Sequence, residues 1–140
     1  MSRVPFHPLV ERWFESTFAG PTAPQEAGWA AIASGRDTLI AAPTGSGKTL
    51  AAFLWSLNRI VERAATASLE DGVSVVYVSP LKALGNDIEK NLQVPLGGIR
   101  ALAEQERLDL GAIRVAVRSG DTPVAERQLH LRHPPHVLIT

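Results

Sequence analysis

Lys48 and Thr49 close the run Ala42-Pro43-Thr44-Gly45-Ser46-Gly47-Lys48-Thr49, the part of the chain best equipped for chemistry. An ammonium and a hydroxyl stand at the end of a turn with two glycines, between an apolar stretch, Thr38–Ala41, and a strongly helical segment. A strand, a glycine-containing turn and a helix start together make a cradle for a triphosphate. Gly45 and Gly47 let the backbone curl so that successive N–H groups point inward. The helix beyond adds the partial positive charge of its N-terminus. Lys48 can reach the β- and γ-phosphates, and the Thr49 hydroxyl is suited to Mg²⁺. Pro43, Thr44, Gly45, Ser46, Gly47, Lys48 and Thr49 are therefore the candidate phosphate-binding residues, with Lys48 and Thr49 the candidate catalytic pair. Ala42 stands where the general motif has its first glycine.

Three other groups carry possible chemistry. The Gln25 side-chain amide can both donate to and accept from adenine, as no carboxylate or lysine can. Its other reading is to close a capping box with Thr22. Ser79 and Lys82 sit at a helix start, and Arg118, Gly120, Asp121 and Thr122 at a second strand-to-helix turn. Helix starts of this kind bind phosphate without reading sequence; ordinary solvated charge is the alternative for Lys82 and Arg118. His130, His133 and His136 are spaced by three, but Pro134-Pro135 interrupts any shared helix and no cysteine or carboxylate joins them, which disfavours a metal site. Phe18 reads as a core residue, because it lies on an apolar helix face, with an adenine-stacking ring as its alternative reading; Trp29 reads as packing.

The elements that must hold these residues follow from periodicity. Leu9, Val10, Trp13, Phe14, Thr17 and Phe18 share one helical face, ended by Gly20-Pro21. Thr22-x-x-Gln25 starts a second helix that stops near Ser34-Gly35. Thr38–Ala41 is expected as a buried strand. Leu50, Phe53, Leu54, Leu57, Ile60, Val61 and Ala64 form a continuous stripe on a third helix. Val73–Val78 is expected as a strand buried on both faces. Ser79-Pro80 caps the next helix; Pro95 and Gly97-Gly98 are expected to interrupt it, with a further helix over Ile99–Leu108. Ile113–Val117 is the third strand, Thr122-Pro123 opens another helix, and His136–Ile139 is the fourth strand. Alternation of strands and helices predicts a parallel, doubly wound α/β sheet.

Bulk properties set outer limits. The 140 residues suffice for one domain with a true core. Lysine plus arginine balance aspartate plus glutamate at 14 each, so no global basic field draws the chain to nucleic acid, and such binding must be local. No cysteine is present, which fits a reducing cytoplasm and excludes disulfides and thiolate metal sites. No apolar run has the length of a signal peptide or a membrane span.

Four clusters occur in order: Phe18–Gln25, Ala42–Thr49, Ser79–Leu84 and Val117–Thr122. This order resembles the first RecA-like domain of superfamily 2 helicases. Gly28-Trp29, Pro80-Leu81-Lys82-Ala83-Leu84 and Gly120-Asp121-Thr122 are similar, more narrowly, to the large helicase-related (Lhr) family, over about Phe6 to Thr140. The resemblance implies a P-loop NTPase (RecA-like) fold, with residues 1–140 a partial helicase ATP-binding domain. It implies ATP and Mg²⁺ as cofactors and Gln25 as the adenine reader. It also implies contact of Ser79, Lys82, Arg118, Gly120, Asp121 and Thr122 with a nucleic-acid backbone, DNA favoured over RNA. The remaining helicase domains are the implied protein partners, and no membrane is expected. ATP hydrolysis needs carboxylates to hold Mg²⁺ and orient water. Four apolar residues followed by Asp-Glu or Asp-Asp do not occur here. The expectation is thus an N-terminal fragment of a longer helicase that binds ATP without turning it over and folds marginally. The competing reading is a truncated, non-catalytic module binding nucleotide or a partner. A GTPase lacks support because no Asn-Lys-x-Asp guanine reader is present. A small-molecule kinase has no need of Gln25 or of the two strand-end turns.

Overall fold

A computed structural model describes residues 4–67, 69–80 and 82–140, with the backbone alone at 82–84 and 86. The chain runs α1 (Pro8–Thr17), α2 (Ala23–Ala33), α3 (Lys48–Thr66), β1 (Val75–Tyr77), α4 (Lys82–Gln105), β2 (Val115–Val117), α5 (Val124–Arg132) and β3 (Val137–Ile139).

The helix starts follow local chemistry. His7 Nδ1 accepts from Leu9 N at 3.3 Å ahead of Pro8, whose missing N–H costs nothing in a first turn. At α2 the Thr22–Gln25 capping box is complete in both directions. Gly35, at φ +76°, ends that helix, its N–H donating to Ile32 O at 2.9 Å. The apolar stripe of α3 is buried from Ala51 to Ala64. Phe6, Phe14 and Trp29 meet edge to face, Trp29 being fully buried.

The expected break at Pro95 does not occur: α4 is one helix of 24 residues with Pro95 inside it. Proline removes one backbone bond, to the carbonyl of Asn91, at a cost of about 3 kcal/mol. Ile88, Leu92, Leu96 and Ile99 of this helix are all buried, each worth about 1.5–3 kcal/mol, so tertiary burial outweighs the local penalty. Gly98 also has a packing role, because a Cβ there would overlap the Trp13 indole of α1.

The sheet is parallel with order β1-β3-β2, so β3, last in the chain, inserts between the first two. Val75, Val115 and Val137 are in register, as are Tyr77, Val117 and Ile139. These residues pack onto the helical core, Tyr77 stacking on Phe53 of α3 with centroids 5.0 Å apart. The expectation that Val73–Val78 is buried on both faces fails, since Val76 is 57% exposed and Val73 and Val78 are exposed as well.

Thr38–Ala41 is also corrected. It is extended but joins no ladder, and Leu39 is 93% exposed. Apolar composition suits a segment to a strand, but a ladder needs a neighbour's N–H and C=O groups. Both sides of β3 are taken by β1 and β2, and no described strand lies beside Thr38–Ala41.

Candidate functional site

Gly45 and Gly47 adopt φ of +81° and +83°, the left-handed conformation that the curled loop requires. Ser46 N donates to Pro43 O at 3.3 Å within the turn. Gly47 is the N-cap of α3 and has no side chain to offer the first-turn amides. The bond from Ala51 N to Gly47 O, at 3.0 Å, starts the helical ladder, so the amides of Lys48, Thr49 and Leu50 have no intrahelical acceptor. Lys48 Nζ donates to Ala42 O at 2.5 Å, folding the ammonium back across the loop. The Ser46 hydroxyl is buried without a hydrogen-bond partner. Uncapped amides, a tethered ammonium and an orphaned hydroxyl form a donor-rich hollow that fits an oligophosphate. Thr49 is exposed beside it, available to a cation bound with such a ligand.

The first turn of α2 is fastened to this loop. Thr22 Oγ1 donates to Ser46 O at 2.8 Å. Gln25 Oε1 accepts from Thr22 N at 2.9 Å, and Gln25 Nε2 donates to Gly47 O at 3.3 Å. Gln25 is only 4% exposed and lies so close to Gly47 that a Cβ on that residue would overlap the amide nitrogen. A primary amide has two lone pairs and two N–H bonds. One of each is used here, so capping the helix and reading a base edge are compatible roles.

Beside Gln25, Gly47 and Thr49 opens a cavity of about 350 Å³. Its apolar wall includes Trp13, Phe18, Phe53, Val94 and Pro95. Phe18 does not sit in the core as its helical spacing predicts: it is 41% exposed, caps the C-terminus of α1 and lines the cavity. The helix ends at Thr17, and the extended backbone at Phe18 swings the ring off the apolar face, against Phe14 and Trp13. Trp13, Asn91, Val94 and Pro95 were not singled out by sequence reasoning. Nothing local ties α1 and α4 to the phosphate loop; only the folded chain does.

The two strand-end turns flank the C-terminal end of β3. Ser79 N donates to Thr140 O at 2.7 Å on one side, and Arg118 N donates to Ile139 O at 2.7 Å on the other. Two inter-strand spacings separate them, about 10 Å. The Lys82 side chain lies outside the described residues. In the second turn the amides are not left free. Ser119 N donates to Thr122 Oγ1 at 2.8 Å, Asp121 N to Ser119 Oγ at 3.2 Å, and Thr122 N to Ser119 O at 3.3 Å. Thr122 thus closes the turn and does not cap α5, which has no side-chain cap. Gly120 and Asp121 of this turn are exposed, and Arg118, Ser119 and Thr122 are half-buried. Arg127, not anticipated from sequence, holds this turn from behind.

At the opposite end of the sheet, His136 is buried; its Nδ1 accepts from Arg114 N at 2.9 Å. Burial, reinforced by the Arg114 charge, holds its pKa below the ordinary histidine value. Its Nε2 makes no well-formed hydrogen bond, although the Glu70 carbonyl lies on that side and favours the protonated form. Arg114 pairs with Asp71 at 2.5 Å and lowers that carboxylate's pKa. Among the described residues no three histidine or acidic side chains are grouped to hold a metal ion.

Comparison with known proteins agrees with this geometry. The sequence pattern of the DEAD/DEAH box helicase family matches residues 22–140. The chain is 51% identical over 135 residues to a Lhr helicase/probable uracil glycosylase of Mycolicibacterium smegmatis, covering 96% of this chain and 9% of that protein. It is 50% identical over 134 residues to an ATP-dependent helicase Lhr-Core of Methanothermobacter thermautotrophicus, covering 96% and 15%. It superimposes on the Mycobacterium smegmatis helicase Lhr bound to ssDNA and AMP-PNP with a TM-score of 0.88 at 50% identity, over 96% of this chain and 17% of that one. The chain therefore spans a small part of the length of the proteins it matches, and its α/β sheet is the RecA-like P-loop type.

Proposed function

Because the chain belongs to the DEAD/DEAH box helicase family, we propose that it forms part of the first motor domain of an ATP-dependent helicase or translocase of the large helicase-related type. The observation that carries this reading is the seating of Gln25 against Gly47: a base-reading amide and a phosphate loop meet at one cavity. Adenine enters the cavity beside Phe18, its edge bonded by the remaining donor and acceptor of Gln25. The phosphates lie over the amides of Gly45 to Thr49, and Lys48 leaves Ala42 O for the β- and γ-phosphates. The Thr49 hydroxyl would hold Mg²⁺ from this chain, and the ion would supply charge neutralisation to the phosphates.

Ser79, Lys82, Arg118, Gly120 and Thr122 contact the backbone of a single strand across the C-terminal end of β3, with Asp121 shaping the second turn. DNA is the favoured strand; the structural relative with ssDNA and a nucleotide analogue supports this. The carboxylates that activate water come from elsewhere in the motor, and the working compartment is the cytoplasm.

The test is ATP hydrolysis by the intact helicase carrying this segment, with and without single-stranded DNA. Strand-stimulated turnover that Lys48→Ala reduces at least 100-fold is expected. Turnover unaffected by that substitution refutes the reading.

A further inference from the structure

Among the described residues, the Arg127 guanidinium bonds to the turn 119–122 alone. Its Nε donates to Thr122 O at 2.8 Å, and its Nη2 to Gly120 O at 2.7 Å and Ser119 O at 3.1 Å. It makes no ion pair among the described residues, although Glu126 is its neighbour in α5. An arginine beside an acid that instead gathers three carbonyls is fixing a backbone shape.

The consequence is electrostatic. A tight turn exposes both N–H and C=O groups, and carbonyl oxygens repel phosphate. Here the oxygens of Ser119, Gly120 and Thr122 are gathered under one cation on the α5 side. With those oxygens turned to Arg127, the Arg118 guanidinium and the exposed Gly120 are the turn's groups suited to phosphate, while Asp121 is exposed beside them. The fork matters as much as the charge, because Nε and Nη2 reach different carbonyls together, which a single ammonium on a flexible stem does not reproduce.

We propose that Arg127 is a positioning residue for nucleic-acid binding: it holds the carbonyls of Ser119, Gly120 and Thr122 toward α5 and away from the strand. This rests on the reading of that turn as a strand contact.

The experiment measures single-stranded DNA affinity of the intact helicase as a function of salt, for Arg127→Met, Arg127→Lys and Arg118→Ala. Nucleotide affinity without DNA serves as the check on folding. Arg127→Met is expected to weaken DNA binding about 10-fold at fixed salt, with the slope of log affinity against log salt unchanged, since Arg127 touches no phosphate. Arg127→Lys restores little, and nucleotide affinity is unaltered in both. Arg118→Ala lowers the slope by about one, as loss of a direct phosphate contact does. Wild-type DNA binding by Arg127→Met overturns the proposal. So does a slope lowered by about one in Arg127→Met with rescue by Lys, which makes Arg127 a plain phosphate contact. If Arg127→Met and Arg118→Ala both leave DNA binding intact, the reading of the turn as a strand contact falls with it. If Arg118→Ala alone weakens binding, only the positioning role falls.

Discussion

Gln25 Nε2 donates to Gly47 O across 3.3 Å, joining the first turn of α2 to the residue that caps α3. Because Thr22 Oγ1 also donates to Ser46 O, the phosphate loop is held from one side by two side chains of a single capping box. The cavity beside Gln25 and the loop that ends at Gly47 are therefore joined by two hydrogen bonds.

Gly47→Ala tests that contact. The new Cβ meets the Gln25 amide and the residue is held at φ +83°, a conformation costing an L-residue about 1–2 kcal/mol. Nucleotide affinity of the intact helicase should fall more than 10-fold. Gly45→Ala has a similar φ of +81° but open space around it, so it should lose less. Equal losses, measured by titration with a fluorescent adenine nucleotide, contradict the close-packed account.

Base selectivity is the second expectation. Gln25→Ala removes half the capping box and the amide at the cavity, so preference for ATP over GTP should shrink by about 1–3 kcal/mol, roughly 5- to 150-fold. Competition binding with the two nucleotides decides it. Undiminished preference assigns Gln25 to capping alone.

Gly97 and Gly98 give a paired test of α4. Nothing lies near an added Cβ at Gly97, so Gly97→Ala should stabilise the helix by about 0.5–1 kcal/mol. Gly98→Ala drives a methyl into Trp13 and should cost about 1–3 kcal/mol by overpacking. Denaturant midpoints moving in opposite directions are the predicted result.

Acid should loosen the end of the sheet away from the phosphate loop. His136 has a folded-state pKa below its ordinary 6.5, so the unfolded chain takes up its proton first. Stability present above pH 6.5 is then lost as pH falls from there toward the folded value. Arg114, Arg63, Asp71 and the Glu70 carbonyl all act on this ring, with burial the leading cause. His136→Asn should flatten the fall of melting temperature as pH drops below the ordinary histidine value of 6.5. Asp71 acts lower: its depressed pKa gives stability above about 3.8 that disappears under more acid conditions.

Residues 1–140 by themselves should bind ATP without releasing phosphate, since among the described residues no carboxylate lines the cavity beside Gln25 and Thr49. They should also melt early and bind a hydrophobic dye, because Leu39, Val78, Val124 and Leu131 are all exposed. Steady phosphate release abolished by Lys48→Ala, or a sharp melt at high temperature, contradicts these expectations.

Local chemistry was legible from residue types and spacing alone. The capping box at Thr22–Gln25, the glycine turn before Lys48 and the buried stripe of α3 depend on neighbours within a turn or two, where propensity and periodicity act directly. What lay beyond that reach was decided by packing. Pro95 stays inside α4 because buried side chains on either side outweigh one lost hydrogen bond. Thr38–Ala41 joins no ladder because a strand exists only beside a partner, and Phe18 lines a cavity because α1 ends one residue before it. The three carbonyls under Arg127 and the amide of Gln25 against Gly47 join residues 5 to 22 positions apart, through side-chain reach that no spacing rule encodes. Sequence alone determined which groups are available for phosphate and base; tertiary structure decided which of them meet, because contact energy depends on distances that the chain acquires only when its core closes.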